Sequence, residues 1–151
     1  QAAEKRLPLK GEVFLIKERT AFLILPDKPK AGKPIPWVWY APTLTGLPGT
    51  EEIWMFNQFL QAGMAIAGID VGESFGNCHS RTRYTTFHQL LSQEYALFHR
   101  ACLLARSRGG LMLFNWAAEH PSAVACMAGI CLVCNLSTVP PDRIKLLWLM
   151  G

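Results

Sequence analysis

Long apolar runs, charge and histidine are all scarce in this sequence, and each shortage removes a class of function. No stretch reaches the roughly 18–20 apolar residues that a helix needs to span a bilayer. The longest run, 123–133, is broken by Gly129. Charged residues make up only 17% of the 151, and the formal net charge is +4. The basic excess lies near the start, at Lys5, Arg6, Lys10, Lys28, Lys30 and Lys33, mixed with acids and prolines and without interleaved aromatics. That pattern reads as a solvated surface, not a nucleic-acid face. His79, His88 and His99 contain no i, i+4 pair, the spacing that sets two metal ligands on one side of a helix. Gly72-x-x-x-Gly76 has no third glycine at the required spacing, so it is not a dinucleotide fingerprint. Cys131-x-x-Cys134 has no second pair to complete a zinc site. Cys78, Cys102, Cys126, Cys131 and Cys134 therefore form no framework, and most read as core thiols. Neither a metal nor a cofactor is expected.

Hydrophobic residues are abundant, at 50%, and fall in short blocks separated by turn signals. A chain of this length suffices for one domain with a real core. Residues 12–17 and 20–25 read as an antiparallel hairpin around Lys17-Glu18-Arg19. Residues 27–36 form a Pro/Lys/Gly loop, and Trp37-Val38-Trp39-Tyr40 is a strongly β-prone strand. After the loop 41–49, Thr50 reads as the N-cap of a helix with Glu51 and Glu52 in its first turn. Ile53, Phe56, Phe59 and Leu60 repeat at helical spacing up to Gly63. A strand over 64–71 follows, then a turn at 72–77 and a helical face traced by Tyr84, Phe87, Leu91 and Tyr95. Trp37, Trp39, Trp54 and Trp116 read as core and helix-packing residues. His88 and His99 are expected on the helix, partly exposed.

The densest signal is the run 101–111. The apolar strand Ala101-Cys102-Leu103-Leu104-Ala105 leads into Arg106-Ser107-Arg108-Gly109-Gly110, and a helix pattern runs from Gly109 to Glu119, stopped by His120-Pro121. A serine on a tight strand-to-helix turn is lifted above the sheet edge, and the residues two before and two after it crowd together. Both are small here, Ala105 and Gly109, and Gly110 allows close helix–strand approach. The helix N-terminus behind Ser107 directs backbone N–H groups toward developing negative charge. Residues 124–133 read as a sixth strand, buried on both faces as apolar parallel strands are. The order ββ, βα, βα, βα, β predicts an α/β fold: a mostly parallel sheet, helices on both faces, and an N-terminal antiparallel hairpin.

These segments together resemble the N-terminal part of the α/β-hydrolase superfamily, in the style of bacterial serine esterases and prolyl-oligopeptidase-like hydrolases. The resemblance rests on Trp37 to Thr43, on Pro48-Gly49-Thr50-Glu51-Glu52-Ile53-Trp54, on the run from Gly68 to Gly76, and on the serine turn with the helix to Pro121. It implies an incomplete α/β-hydrolase fold: a lead-in over 1–10, a core over 11–139 and a divergent or truncated segment over 140–151. It further implies that Ser107 is the nucleophile, and that the oxyanion hole uses the amides of Arg108 and Thr43, with Leu44 as fallback because Pro42 has no N–H. The family places its acid and histidine after the serine. Here only Glu119, His120 and Asp142 follow. Glu119 and His120 end the helix that the serine begins, and Asp142 comes one strand too early. The resemblance thus implies hydrolysis of a small-molecule ester or peptide that is weak or lost in this short chain. The alternative is a non-catalytic α/β module that binds a ligand or partner. Missing strands would leave a sheet edge open to self-association. No signal-peptide pattern is present, and the compartment stays open between the bacterial cytoplasm and secretion after loss of a signal peptide.

Asp70 and Glu73 are expected to hold the loop that follows them. Arg106 and Arg108 are expected to pair with a nearby carboxylate such as Glu73.

Overall fold

The computed structural model describes residues 5–29 and 31–133. Six strands, β1 (Glu12–Ile16), β2 (Arg19–Ile24), β3 (Trp37–Ala41), β4 (Ala65–Ile69), β5 (Ala101–Arg106) and β6 (Val124–Ile130), form one sheet. The strand order is β1-β2-β4-β3-β5-β6. β1, β2 and β4 pair antiparallel, while β4, β3, β5 and β6 run parallel. Three α-helices connect the parallel part: α1 (Ile53–Gln61), α2 (Cys78–Glu94) and α3 (Gly109–Glu119). The mostly parallel sheet with a leading hairpin is the architecture that the apolar pattern predicts.

Alternation along each strand sorts the core into two layers. On β3, Trp37, Trp39 and Ala41 face the α2/α3 layer with Tyr84, Phe87, Leu113 and Trp116. Val38 and Tyr40 face the α1 layer with Phe22, Ile66, Leu104 and Phe56. All five β3 residues are buried, which explains why this strand carries aromatics on both sides.

Several boundaries and environments differ from the sequence reading, each for a local reason. The turn into α1 begins as a 3-10 turn over Thr50–Glu52 with Gly49 at the N-cap position, because Glu52 turns inward and its Oε2 accepts from the Gly49 N–H at 2.8 Å. Trp54 is 74% exposed; only the opposite stripe of α1, centred on Phe56, meets the sheet. His88 is buried, its Nε2–H donating to the His99 carbonyl at 2.7 Å, while His99 lies beyond the helix. β6 ends at Ile130 instead of residue 133, since Cys131 takes φ +47° and turns the chain. Its side chains are exposed but for half-buried Val124, and among the described residues nothing pairs with its outer edge. Cys102 and Cys126 are not core thiols. They stand directly opposite in the parallel β5/β6 register, with Cα atoms 4.5 Å apart, and form a disulfide. Among the described residues Cys78 and Cys131 are free and exposed; Cys134 lies outside the described residues.

Candidate active site

Parallel strands bring the loops that leave their carboxyl ends to one edge of a sheet, where open α/β folds bind ligands. Three such loops meet here: 42–49 after β3, 70–77 after β4, and the turn 107–108 between β5 and α3. Ala41 pairs with Ala105 in register, so Thr43 and Ser107 leave neighbouring strands at the same level.

Ser107 has φ +50°, a left-handed backbone that costs a non-glycine residue about 1–3 kcal/mol and persists only when its surroundings impose it. Those surroundings are visible. The Ser107 N–H donates to the Ile130 carbonyl at 2.9 Å, and its own carbonyl accepts from Val133 N–H at 2.9 Å and Gly110 N–H at 3.2 Å. The end of β6 thus clamps the turn. Gly109 meets the backbone where β3 ends: a methyl group there would lie 2.5 Å from the Ala41 carbonyl carbon and 2.8 Å from the Pro42 nitrogen. Only glycine lets α3 start this close to β3. The serine itself is half-buried.

The loop carrying Thr43 is held from both ends. Lys5 Nζ donates to the carbonyls of Leu44 and Leu47, at 3.1 and 2.7 Å; burial lowers its pKa from the ordinary value, opposed by Asp70. Thr43 is buried and its hydroxyl donates to the Tyr40 carbonyl at 3.1 Å. It fits because β4 offers Gly68 beneath it: a methyl group on Gly68 would collide with the Thr43 hydroxyl and lie 2.8 Å from the Tyr40 carbonyl oxygen. Glu52 fixes the far end. It is 3% exposed, accepts from Tyr40 Oη at 2.8 Å, and forms an ion pair with Arg106, the residue before Ser107. One buried carboxylate therefore joins the Thr43 loop to the serine strand. Burial and this carboxylate both push the Tyr40 phenol above its ordinary pKa. Nothing in the sequence pattern distinguished Glu52 from Glu51, because the partner arginine is 54 residues away.

Arg108 Nη2 pairs with Glu73 Oε1 at 3.0 Å and its guanidinium lies 6.0 Å from the Phe75 ring centre. Asp70 Oδ1 accepts from the Gly72 N–H at 2.8 Å. These two acids hold the loop, as expected; Arg106, by contrast, takes Glu52 in place of Glu73.

The residues after the serine are committed elsewhere. Glu119 Oε1 pairs with Arg81 Nε at 2.8 Å. His120 stacks on Trp116, ring centres 4.6 Å apart, and its Nδ1–H donates to the Trp116 carbonyl at 3.0 Å. They end an 11-residue helix, about 16 Å from its start at 1.5 Å per residue. Asp142 lies outside the described residues. Among the described residues no histidine is hydrogen-bonded to Ser107.

The strand order and the serine turn can be set beside known structures. An S-formylglutathione hydrolase from Agrobacterium tumefaciens superposes with a TM-score of 0.71 at 14% identity, over 90% of this chain and 62% of that one. A thermostable esterase gives 0.64 at 15% identity, over 90% of this chain and 43% of that one. A 2,6-dihydroxy-pseudo-oxynicotine hydrolase gives 0.58 at 24% identity, over 78% of this chain and 35% of that one. This is part of an α/β-hydrolase fold. The chain spans less than two thirds of each of these α/β hydrolases. No protein-family model matches the sequence. No curated protein matches it either. At these identities the likeness defines the fold alone.

Proposed function

We propose that this chain carries the nucleophile half of a serine hydrolase acting on an ester or amide carbonyl. Ser107 Oγ adds to the carbonyl carbon, and the amides of Arg108 and Thr43 face the resulting oxyanion. The serine proton passes to a base, the alcohol or amine leaves, and water then releases the acyl group. The observation that carries this reading is the left-handed Ser107 wedged between β5 and α3, with Gly109 pressed against Ala41. A surface serine in an ordinary turn needs neither feature.

No described histidine is placed as the base, so turnover by this chain is slow. Without an adjacent base a serine hydroxyl is a weak nucleophile, and an activated ester is the substrate on which its slow acylation is measurable. Hydrolysis of p-nitrophenyl acetate tests the reading. The expected result is a slow rate that Ser107→Ala removes. A rate unchanged by Ser107→Ala refutes the nucleophile assignment, and a rate typical of an intact esterase shows that a base is present after all.

The commitment of His88 to His99 and of His120 to Trp116 favours a second reading, a binding module that keeps the turn as architecture. Stoichiometric ligand binding without any acylation of Ser107 would distinguish it.

A further inference from the structure

A cleft opens over the carboxyl end of β4. It has a volume of about 390 Å³ and its wall includes Arg19, Glu73, Ser74, His79 and Arg83. Arg19 begins β2, which runs antiparallel to β4 with Ala21 opposite Ile69, so this arginine stands at the end from which Asp70 and Glu73 depart. His79 and Arg83 come from the first two turns of α2.

The charges in this cleft do not cancel. Glu73 is taken up by Arg108, and Asp70, which accepts from the Gly72 amide, is not part of the wall. Arg19 and Arg83 form no ion pair among the described residues. Neutral donors join them. Ser74 is 5% exposed. Its oxygen accepts a long bond, 3.4 Å, from Gly76 N–H, and among the described residues its own proton has no acceptor. At the start of α2 the Asn77 side chain accepts from Ser80 N–H at 2.9 Å, which leaves the amides of Cys78 and His79 outward at the positive end of a 17-residue helix.

We propose that this cleft binds a carboxylate carried by the substrate. A guanidinium presents two parallel N–H donors that match the two oxygens of a carboxylate. A phosphate, which concentrates its negative charge on one tetrahedral group, fits less well, because Glu73 forms part of the wall. Glu73 also ties the cleft to Arg108, the neighbour of Ser107, so an acid group seated there lies on the same edge of the sheet as the serine turn. A volume of this size is typical of small-ligand sites. The consequence for catalysis rests on the serine-hydrolase reading; the binding itself does not.

Titration of the full chain with succinate, and separately with inorganic phosphate, tests the site by following backbone amide NMR shifts. Saturable succinate shifts at residues 72–79 are expected. Arg83→Gln and Arg19→Gln should each weaken binding by about tenfold or more, since each removes a charge-assisted hydrogen bond. Thermal melts of both variants establish that they are folded. No saturable shift with either anion overturns the site, and tighter binding of phosphate than of succinate overturns the carboxylate assignment. A kinetic arm compares p-nitrophenyl hydrogen succinate with p-nitrophenyl acetate, and the parent's preference for the acidic ester should fall about tenfold in Arg83→Gln. Succinate binding without any Ser107-dependent hydrolysis leaves the site standing and removes the hydrolase reading. Hydrolysis of both esters without succinate binding does the reverse.

Discussion

Gly109→Ala separates the geometry of the serine turn from ordinary helix preference, because the two predict opposite signs. Gly109 is the first residue of α3. In an exposed helix, replacing glycine by alanine stabilises by roughly 0.5–1 kcal/mol. Here the new methyl would sit 2.5 Å from the Ala41 carbonyl carbon and 2.8 Å from the Pro42 nitrogen. Carbon atoms prefer a separation of about 3.5–4.0 Å, so α3 and the end of β3 must part by about 1 Å. Both are backbone, β3 is buried along its whole length, and no side chain can swing aside. Forced overpacking costs about 1–3 kcal/mol, occasionally more, and the rigidity of both partners places this case at the upper end. A net loss of about 2–3 kcal/mol lowers the melting temperature by roughly 4–12 °C for a chain of this size. Urea and thermal denaturation measure it. Gly63→Ala is the comparison, since Gly63 has φ +80° but open space around it and carries only the conformational penalty of about 1–2 kcal/mol. A Gly109→Ala protein as stable as the parent, or more so, would show that the strand-to-helix turn is not packed as described.

Three further outcomes follow from contacts away from the serine. Glu52→Gln should cost about 1–3 kcal/mol in urea denaturation, because it breaks the ion pair to Arg106 and weakens the bond from Tyr40 at a site 3% exposed; the lower part of that range reflects Arg106 being one third exposed. Reducing the Cys102–Cys126 bridge opens a 24-residue separation, worth about 3 kcal/mol in the loop-entropy treatment. Thiol counting under denaturing conditions should find two fewer reactive groups before reduction than after, and equal counts would contradict the bridge. Burial, the largest cause, lowers the His88 pKa from 6.5, against its bond to the His99 carbonyl. The unfolded chain then binds more protons than the folded one, so this contribution is complete above pH 6.5 and lost as pH falls toward the lowered folded value. His88→Phe should flatten that slope in melting temperature against pH, and an unchanged slope would assign it to other groups.

What was legible in the sequence was local. The helix from Gly109 to Glu119 is announced by the small residues around Ser107 and closed by His120-Pro121. The buried face of Tyr84, Phe87 and Leu91 follows from helical spacing alone. What escaped depends on which strands become neighbours. The Cys102–Cys126 bridge exists because β5 and β6 pair parallel with those residues opposite, which no cysteine spacing reveals. Glu52 reads, like Glu51, as an acid in the first turn of a helix, and only the fold brings Arg106 and Tyr40 to it. Trp54 carries the same composition signal as Trp116, yet falls on the outer side of its helix. Among the described residues β6 is exposed on both faces, which the sequence does not reveal, because an apolar run reads alike whether or not a neighbour covers it.

In the proposed hydrolase Ser107 is held as a nucleophile. Prolonged incubation of the full chain with a fluorophosphonate, followed by peptide mapping, tests it most directly. A single slow adduct on Ser107, absent in Ser107→Ala and from every other serine, is the predicted result. Labelling spread over other residues, or no adduct at Ser107 under conditions that leave the chain folded, would contradict it.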